Sequence, residues 1–253
     1  MTRHYNARLG GFTLTELLVV VGVVIVLALL LLPSLQGSRR KGRDAVCKNL
    51  LRQIGNGLQM YVHDHDYYPP LTDRSTKSVC FERLYPYSPL NWTNSSWNCP
   101  AYVAKGGIIS RDLLVEHSVG ISYGYNWMGI ASWPGRPEAF VENRWGLGFY
   151  PSDSQKAAAI LAPSEMYAVA DARCEQSGPE IAGNIRMTPW KLRYQELAPL
   201  HGKGYNILFC DGHIAFVKRE DYLYPPRTAA NWNCDHQSHP EAWAPRAMWS
   251  VER

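Results

Sequence analysis

The side chains best placed for chemistry are two histidines and an aspartate near the C-terminal end: His201, Asp211 and His213. A carboxylate and imidazoles at that spacing could make an acid/base pair or a metal cluster. No serine or cysteine elbow, phosphate loop or paired-histidine metal helix accompanies them. Asp211 therefore reads as a turn residue, and His201 as a hydrogen-bonding partner of the hairpin or its neighbour. His63-Asp64-His65-Asp66 is a second tempting cluster, but histidines two apart point to different faces of a helix. It reads as a polar helix exit. Cys234-Asp235-His236-Gln237-Ser238-His239 matches no common zinc spacing and reads as an exposed tail loop. The expectation is no catalytic residue and no metal site.

The cysteines are Cys47, Cys80, Cys99, Cys174, Cys210 and Cys234. An even count fits disulfides if the domain lies in an oxidising compartment, and sequence cannot choose the pairing. The composition, 46% hydrophobic and 12% aromatic, is ample for a buried core and excludes a disordered chain. The formal charge of +4 does not call for nucleic acid.

These residues must be carried by a few elements. Leu17–Leu32 has no polar side chain, and extended back to Phe12 it would cross about one bilayer core as a helix. A short leader with Arg3 and Arg8 precedes it and ends in Gly10-Gly11. A secretory signal peptide predicts small residues after the apolar run, which Pro33-Ser34-Leu35-Gln36-Gly37 does not supply. A plain anchor leaves Glu16 without a role, although a carboxylate in the membrane costs about 2.5–3.5 kcal/mol and needs a partner. From Cys47 the apolar residues Cys47, Leu50, Leu51, Ile54, Leu58, Tyr61 and Val62 recur in steps of three and four, one face of an amphipathic helix. It should end before Pro69-Pro70 and lay that face on a sheet.

Beyond it the chain reads as short strands and long loops. Val119–Ile130 and Glu165–Ala172 are candidate strands, and Trp133–Ser154 looks like an insertion. Asp211-Gly212 between two β-rich runs predicts a two-residue hairpin turn. That turn pairs Ile207 with Phe216 and Phe209 with Ile214, and all four should face the core.

Gly11-Phe12-Thr13-Leu14-Thr15-Glu16-Leu17-Leu18-Val19-Val20 resembles the cleavage and methylation signal of type IV prepilins and type II secretion pseudopilins. Cys47-Lys48-Asn49-Leu50-Leu51-Arg52-Gln53, then Tyr61 and Tyr68-Pro69, resembles a prepilin-like subgroup. His201, nine residues, then Asp211-Gly212 is similar to the H-X9-DG motif of a large prepilin-like family, as are Cys99-Pro100 and Ser122-Tyr123-Gly124-Tyr125-Asn126. These blocks cover the N-terminal third and scattered stretches up to Lys218; the tail from Asp221 has no counterpart. Cys210 departs from the small residue usual before the Asp, and it is a candidate disulfide partner.

The resemblance implies an α+β, pilin-like fold. A leader (1–11) would precede a transmembrane assembly helix (12–36), an amphipathic helix (37–65) and a β-rich extracytoplasmic head (66–253). A prepilin peptidase would cut between Gly11 and Phe12, and the new N-terminal Phe12 would be methylated. Glu16 would meet the N-terminal amine of a neighbouring subunit, and Pro33 would kink the helix. The implied place is the bacterial inner membrane, single-pass, with the head periplasmic or extracellular. The implied partners are the peptidase and other pilin-like subunits, and the implied role is non-enzymatic. Related pseudopilins bind calcium in loops, so calcium stays open here without assignable ligands. Arg39, Arg40, Lys41 and Arg43 after the apolar run would on charge bias alone favour the opposite orientation; the cleavage signal is the more specific and takes precedence. The alternative is a membrane-tethered binding protein that uses the prepilin pathway for export and holds polysaccharide or a partner through exposed Trp and Tyr.

Overall fold

The computed structural model describes residues 13–73, 75–76, 78–88, 98–103, 122–130, 145–171, 174–175, 181–182, 200–222 and 224–240, without the side chains of 31–35, 103, 174–175, 181–182 and 225. The leader, Gly11 and Phe12, residues 133–144 of the expected insertion and the tail from 241 lie outside the described residues. The chain divides into two units, Met1–Gly42 and Arg43–Arg253.

Helix α1 spans Leu14–His65. Thr13 and Glu16 start it with a capping box: the Thr13 N–H donates to Glu16 Oε2 at 2.9 Å, and the Glu16 N–H donates to Thr13 Oγ1 at 3.3 Å. The helix continues through Pro33. Asp66 ends it with a left-handed backbone (φ 62°), its N–H donating to the Val62 carbonyl at 2.8 Å. In the first unit the described apolar side chains, Leu17–Leu30, are all exposed wherever they are large. Among the described residues no helix is long and apolar enough to cross a membrane.

In the second unit the helical face expected from periodicity is the face that is buried: Cys47, Leu50, Leu51, Ile54, Leu58, Tyr61 and Val62 all enter the core. They pack on a four-stranded antiparallel sheet of order β3-β4-β7-β8. Its strands are β3 (Tyr123–Tyr125), β4 (Tyr167–Asp171), β7 (Gly204–Phe209) and β8 (Ile214–Lys218). Two small sheets accompany it, β1 (Thr72–Asp73) with β2 (Ser78–Val79) and β5 (Cys174–Glu175) with β6 (Ile181–Ala182). Short helices α2 (Cys80–Arg83) and α3 (Pro100–Val103) lie between.

The hairpin forms, but one residue out of the expected register. Ile207 pairs with Ala215 and Leu208 with Ile214. The Gly212 N–H donates to the Phe209 carbonyl (3.0 Å) and the Phe209 N–H to the His213 carbonyl (2.9 Å). Only Gly212 of the turn has positive φ, at 95°. This is a three-residue loop, Cys210-Asp211-Gly212, with glycine in the left-handed bulge position rather than a two-residue turn. A slip of one residue exchanges the faces. Leu208 and Ile214 face α1, Ile207 and Phe209 face the other way, and Phe216, expected in the core, is 46% exposed.

The second face of the sheet is covered by the chain's own C-terminal part: α4 (Arg219–Tyr222), α5 (Pro225–Thr228) and a 3-10 turn, Ala229–Trp232. Tyr222, Ala229 and Trp232 pack on Tyr167, Tyr205, Ile207 and Phe209. Asn126 Nδ2 ties this layer down, donating to the Trp232 and Tyr167 carbonyls at 2.8 Å each. This layer is why both central strands are buried on both faces. The described end of the expected insertion likewise packs inward at Leu147.

Candidate functional site

The helix and the sheet meet over a polar cluster set inside the apolar core. Helix α1 presents Asp44, Cys47 and Lys48 from adjacent turns, since residues three and four apart share a face. Cys99 sits just before α3, held by its N–H donating to Ser122 Oγ at 2.6 Å, while the Ser122 N–H donates to Asn98 Oδ1 at 2.8 Å. Asp171 is the last residue of β4. His201 precedes β7, bridged to Gly204 across a turn in which Gly202 adopts φ 68°.

His201 Nε2 lies 3.1 Å from Asp171 Oδ2 and 3.2 Å from Cys99 Sγ. Its Nδ1 lies 3.3 Å from Asp44 Oδ1. Cys47 Sγ donates to Asp171 Oδ2 at 3.5 Å, and Tyr123 Oη donates to Cys47 Sγ at 3.5 Å. The Asn206 backbone N–H donates to Asp171 Oδ1 at 2.8 Å. Its side-chain amide donates to Asp44 Oδ1 at 2.8 Å and to Asp171 Oδ2 at 3.3 Å. Lys48 Nζ pairs with Asp44 Oδ2 at 2.9 Å.

Burial pushes the Asp171 carboxyl up to about 6 against the opposing pull of His201. Burial alone would lower His201, but Asp171 and Cys99 outweigh it and raise the imidazole to about 10. The hydrogen bond from Cys47 draws the Cys99 thiol down, despite burial and with help from His201. Burial drives Cys47 the other way. The two thiols are thus shifted in opposite directions, and charge at this place is tolerated only because the groups are paired and hydrogen-bonded.

A thiolate, imidazole and carboxylate are the parts of a nucleophilic site, but Cys99 and Asp171 are fully buried and His201 nearly so. The sulfur is closed off from solvent. The Sγ atoms of Cys47 and Cys99 and a ring nitrogen of His201 all lie within 4.8 Å of one another, close enough to share one ion.

His201 alone of the sequence-level H-X9-DG residues enters this cluster. Asp211 lies in the hairpin loop, accepting from the His213 N–H (3.0 Å) and lying 2.6 Å from His213 Nδ1. His201 is held by Asp171 and Asp44, not by the hairpin turn. Disulfides were expected, yet Cys47, Cys80, Cys99, Cys210 and Cys234 are free, buried thiols; the side chain of Cys174 lies outside the described residues. Cys47 and Cys99 bring their sulfurs within 4.8 Å of each other, and Cys80 and Cys210 pack as small apolar groups whose thiols burial pushes up. His65 stacks on Tyr61 at 4.1 Å, in keeping with a polar helix exit. Cys234 is not in an exposed loop: its N–H donates to the Trp145 carbonyl at 2.7 Å, and His239 stacks on Trp145 at 3.7 Å. Sequence reasoning missed Asp44, Asp171 and Asn206. The available signal was an acid closing the otherwise apolar run Tyr167–Asp171.

No protein-family model matches the chain, and no solved structure matches it. Over 87 residues it is 37% identical to type II secretion system core protein G of Escherichia coli (strain K12), an alignment covering 34% of this chain and 59% of that protein. Over 63 residues it is 36% identical to the type IV wide pilus major component PilA4 of Thermus thermophilus, covering 25% and 47%. Over 62 residues it is 36% identical to core protein G of Aeromonas hydrophila, covering 24% and 43%. The chain thus spans about half the length of the curated relatives it matches, and its similarity is to pilus and secretion-system components.

Proposed function

We propose that this chain is a non-enzymatic, pilin-like subunit of a type II secretion or type IV pilus-like assembly. In this reading a prepilin peptidase cuts between Gly11 and Phe12. The helix then holds the protein in the bacterial inner membrane as a single pass, Leu31, Leu32 and the kink at Pro33 completing the span, with the head outside the cytoplasm. Neighbouring subunits pack through the same helix, with Glu16 facing the Phe12 ammonium of the next.

The observation that carries this reading is the surface of α1 between Leu17 and Leu30. Its large apolar side chains are each at least 47% exposed, while the continuation from Cys47 is buried against the chain's own sheet. An uninterrupted apolar surface of that kind calls for lipid or other apolar helices around it. The similarity to protein G and PilA4 supplies the class of assembly.

The test is the intact mass and N-terminal sequence of the protein purified from its native membrane. A chain starting at Phe12 and carrying one extra methyl group is expected. A chain that keeps Met1, or one cut after Pro33, would exclude prepilin processing.

A further inference from the structure

We propose that Cys47, Cys99, His201 and Asp171 form a structural site for a thiophilic divalent cation, zinc foremost, that clamps the helix to the sheet. The donor set is two thiols, an imidazole and a carboxylate, which are the ligand types zinc takes in closed structural sites. A soft pair of sulfurs with nitrogen also disfavours magnesium and calcium, which take oxygen.

The distances fit one ion. With ligand bonds of about 2.0–2.3 Å, the edges of a four-coordinate site fall near 3.3–3.8 Å. The observed edges are 3.1 Å between His201 Nε2 and Asp171 Oδ2, 3.2 Å between His201 Nε2 and Cys99 Sγ, and 3.5 Å between Cys47 Sγ and Asp171 Oδ2. The two sulfurs and the imidazole lie within 4.8 Å of one another. Asp171 stands outside that trio, touching Cys47 and His201, and would fill the fourth position by turning toward Cys99.

The surroundings have the character of a second shell. His201 Nδ1 faces the Asp44 carboxylate, the arrangement that fixes the tautomer of a ligating histidine. Asp44 is itself held by Lys48 and Asn206. Asn206 donates to both oxygens of Asp171, and Tyr123 donates to Cys47. Donors thus aim at the ligand atoms from outside the ring. A disulfide between Cys47 and Cys99 would use only the two sulfurs and give no role to His201 or Asp171. Binding a divalent ion instead releases the thiol and imidazole protons, and the ion neutralises the resulting thiolates. The ligands come from four separate chain segments, so the ion would cross-link distant parts of the head.

The full-length chain, purified reduced in detergent, tests this. Metal analysis should find a single zinc ion per chain. Cobalt titrated into the chelator-treated protein should give a saturable thiolate-to-metal absorption, displaced by zinc, and chelation should lower the melting temperature of the wild-type chain. Cys47→Ser and His201→Ala should abolish the cobalt signal, and Cys80→Ser should leave it unchanged. The wild-type measurements stand even if a ligand variant fails to fold. Absence of the thiolate band in the reduced wild-type chain would overturn the site, as would a band that survives Cys47→Ser. A linked Cys47–Cys99 peptide in protein taken from the cell without reduction would also overturn it.

Discussion

Gly55 on α1 and Leu208 on β7 stand so close that a Cβ built on the glycine would lie 2.8 Å from Leu208 Cδ1. A glycine inside a helix costs about 1 kcal/mol relative to alanine, so this one is retained for closeness of approach. Leu208 is fully buried, and its methyl has little room to withdraw. Overpacking typically costs about 1–3 kcal/mol, which should outweigh the gain in helix propensity. Gly55→Ala is therefore expected to lower stability by about 1 kcal/mol net. At Gly42 an added Cβ meets nothing within 4 Å, and Gly42→Ala should raise helix stability by roughly 0.5–1 kcal/mol. Denaturant midpoints of the two variants should move in opposite directions. A stabilised Gly55→Ala would mean that the helix does not seat on β7 at this distance.

The hairpin gives a second test, because its register decides which side chains are core. At Gly212 an added Cβ would meet only the Gln59 side chain, Cγ at 3.7 Å and Nε2 at 3.9 Å, so any penalty there comes from the positive φ rather than from crowding. Gly212→Ala should cost roughly 1–2 kcal/mol and Gly212→Asn less, since asparagine tolerates this region. In the adjoining strands Ile207→Ala should cost about 2–5 kcal/mol, and the exposed Phe216→Ala under about 1 kcal/mol. Equal losses at 207 and 216 would instead fit the two-residue turn.

That hairpin also shows what the sequence could and could not tell. The long helix was legible to the residue along its buried face, because a period near 3.6 survives any detail of the partner surface. The hairpin was legible as an element, but Asp211-Gly212 signals a two-residue turn as strongly as it signals the last residues of a three-residue loop. The difference of one position changes every face. The cluster was the least legible. His201 stood out through its spacing to Asp211, yet its partners Asp44, Cys99 and Asp171 lie far away in sequence. Only the crossing of α1 over β4 and β7 brings them together. Cys47 was read as an apolar member of the helical stripe. It is that, and its sulfur is also one corner of the polar cluster. The C-terminal layer was missed because Tyr222 and Trp232 sit among prolines and asparagines with no period to read.

Asp73 should make the head sensitive to acid in a defined window. Ser75 donates to its carboxylate from both Oγ (2.6 Å) and the backbone N–H (2.9 Å), and Arg83 pairs with it. The Ser75 hydrogen bonds chiefly hold the carboxyl at about 2, below the ordinary 3.8. A group whose folded value is depressed contributes stability that is fully present above the unfolded value and is lost as pH falls through the folded one. Stability due to this residue should therefore be complete above about pH 4 and disappear toward pH 2. Comparing thermal unfolding of the wild type with Asp73→Asn from pH 5 to pH 2 isolates it. The two curves should converge at the acid end, and curves that stay parallel would assign the acid loss elsewhere.

Glu16 has two available roles that a pair of substitutions can separate. Its carboxylate caps its own helix through the Thr13 N–H and hydroxyl, at 2.9 and 2.7 Å. In the proposed assembly the same carboxylate answers a neighbour's ammonium. Glutamine serves equally well at the third position of a capping box but carries no charge, whereas alanine loses both functions. If the residue only caps α1, Glu16→Gln should behave as wild type, and Glu16→Ala should lose about 0.5–2 kcal/mol of local helix stability. If it pairs with the Phe12 amine, both variants should fail to enter the assembly while their heads stay folded, because removing one partner of a buried ion pair leaves the other uncompensated. Incorporation into fibres or crosslinked oligomers, scored beside the proteolytic resistance of the head, reads the two outcomes separately. Normal incorporation of Glu16→Gln would remove the ion pair from the mechanism and leave the capping box as the reason for this acid in an otherwise apolar helix.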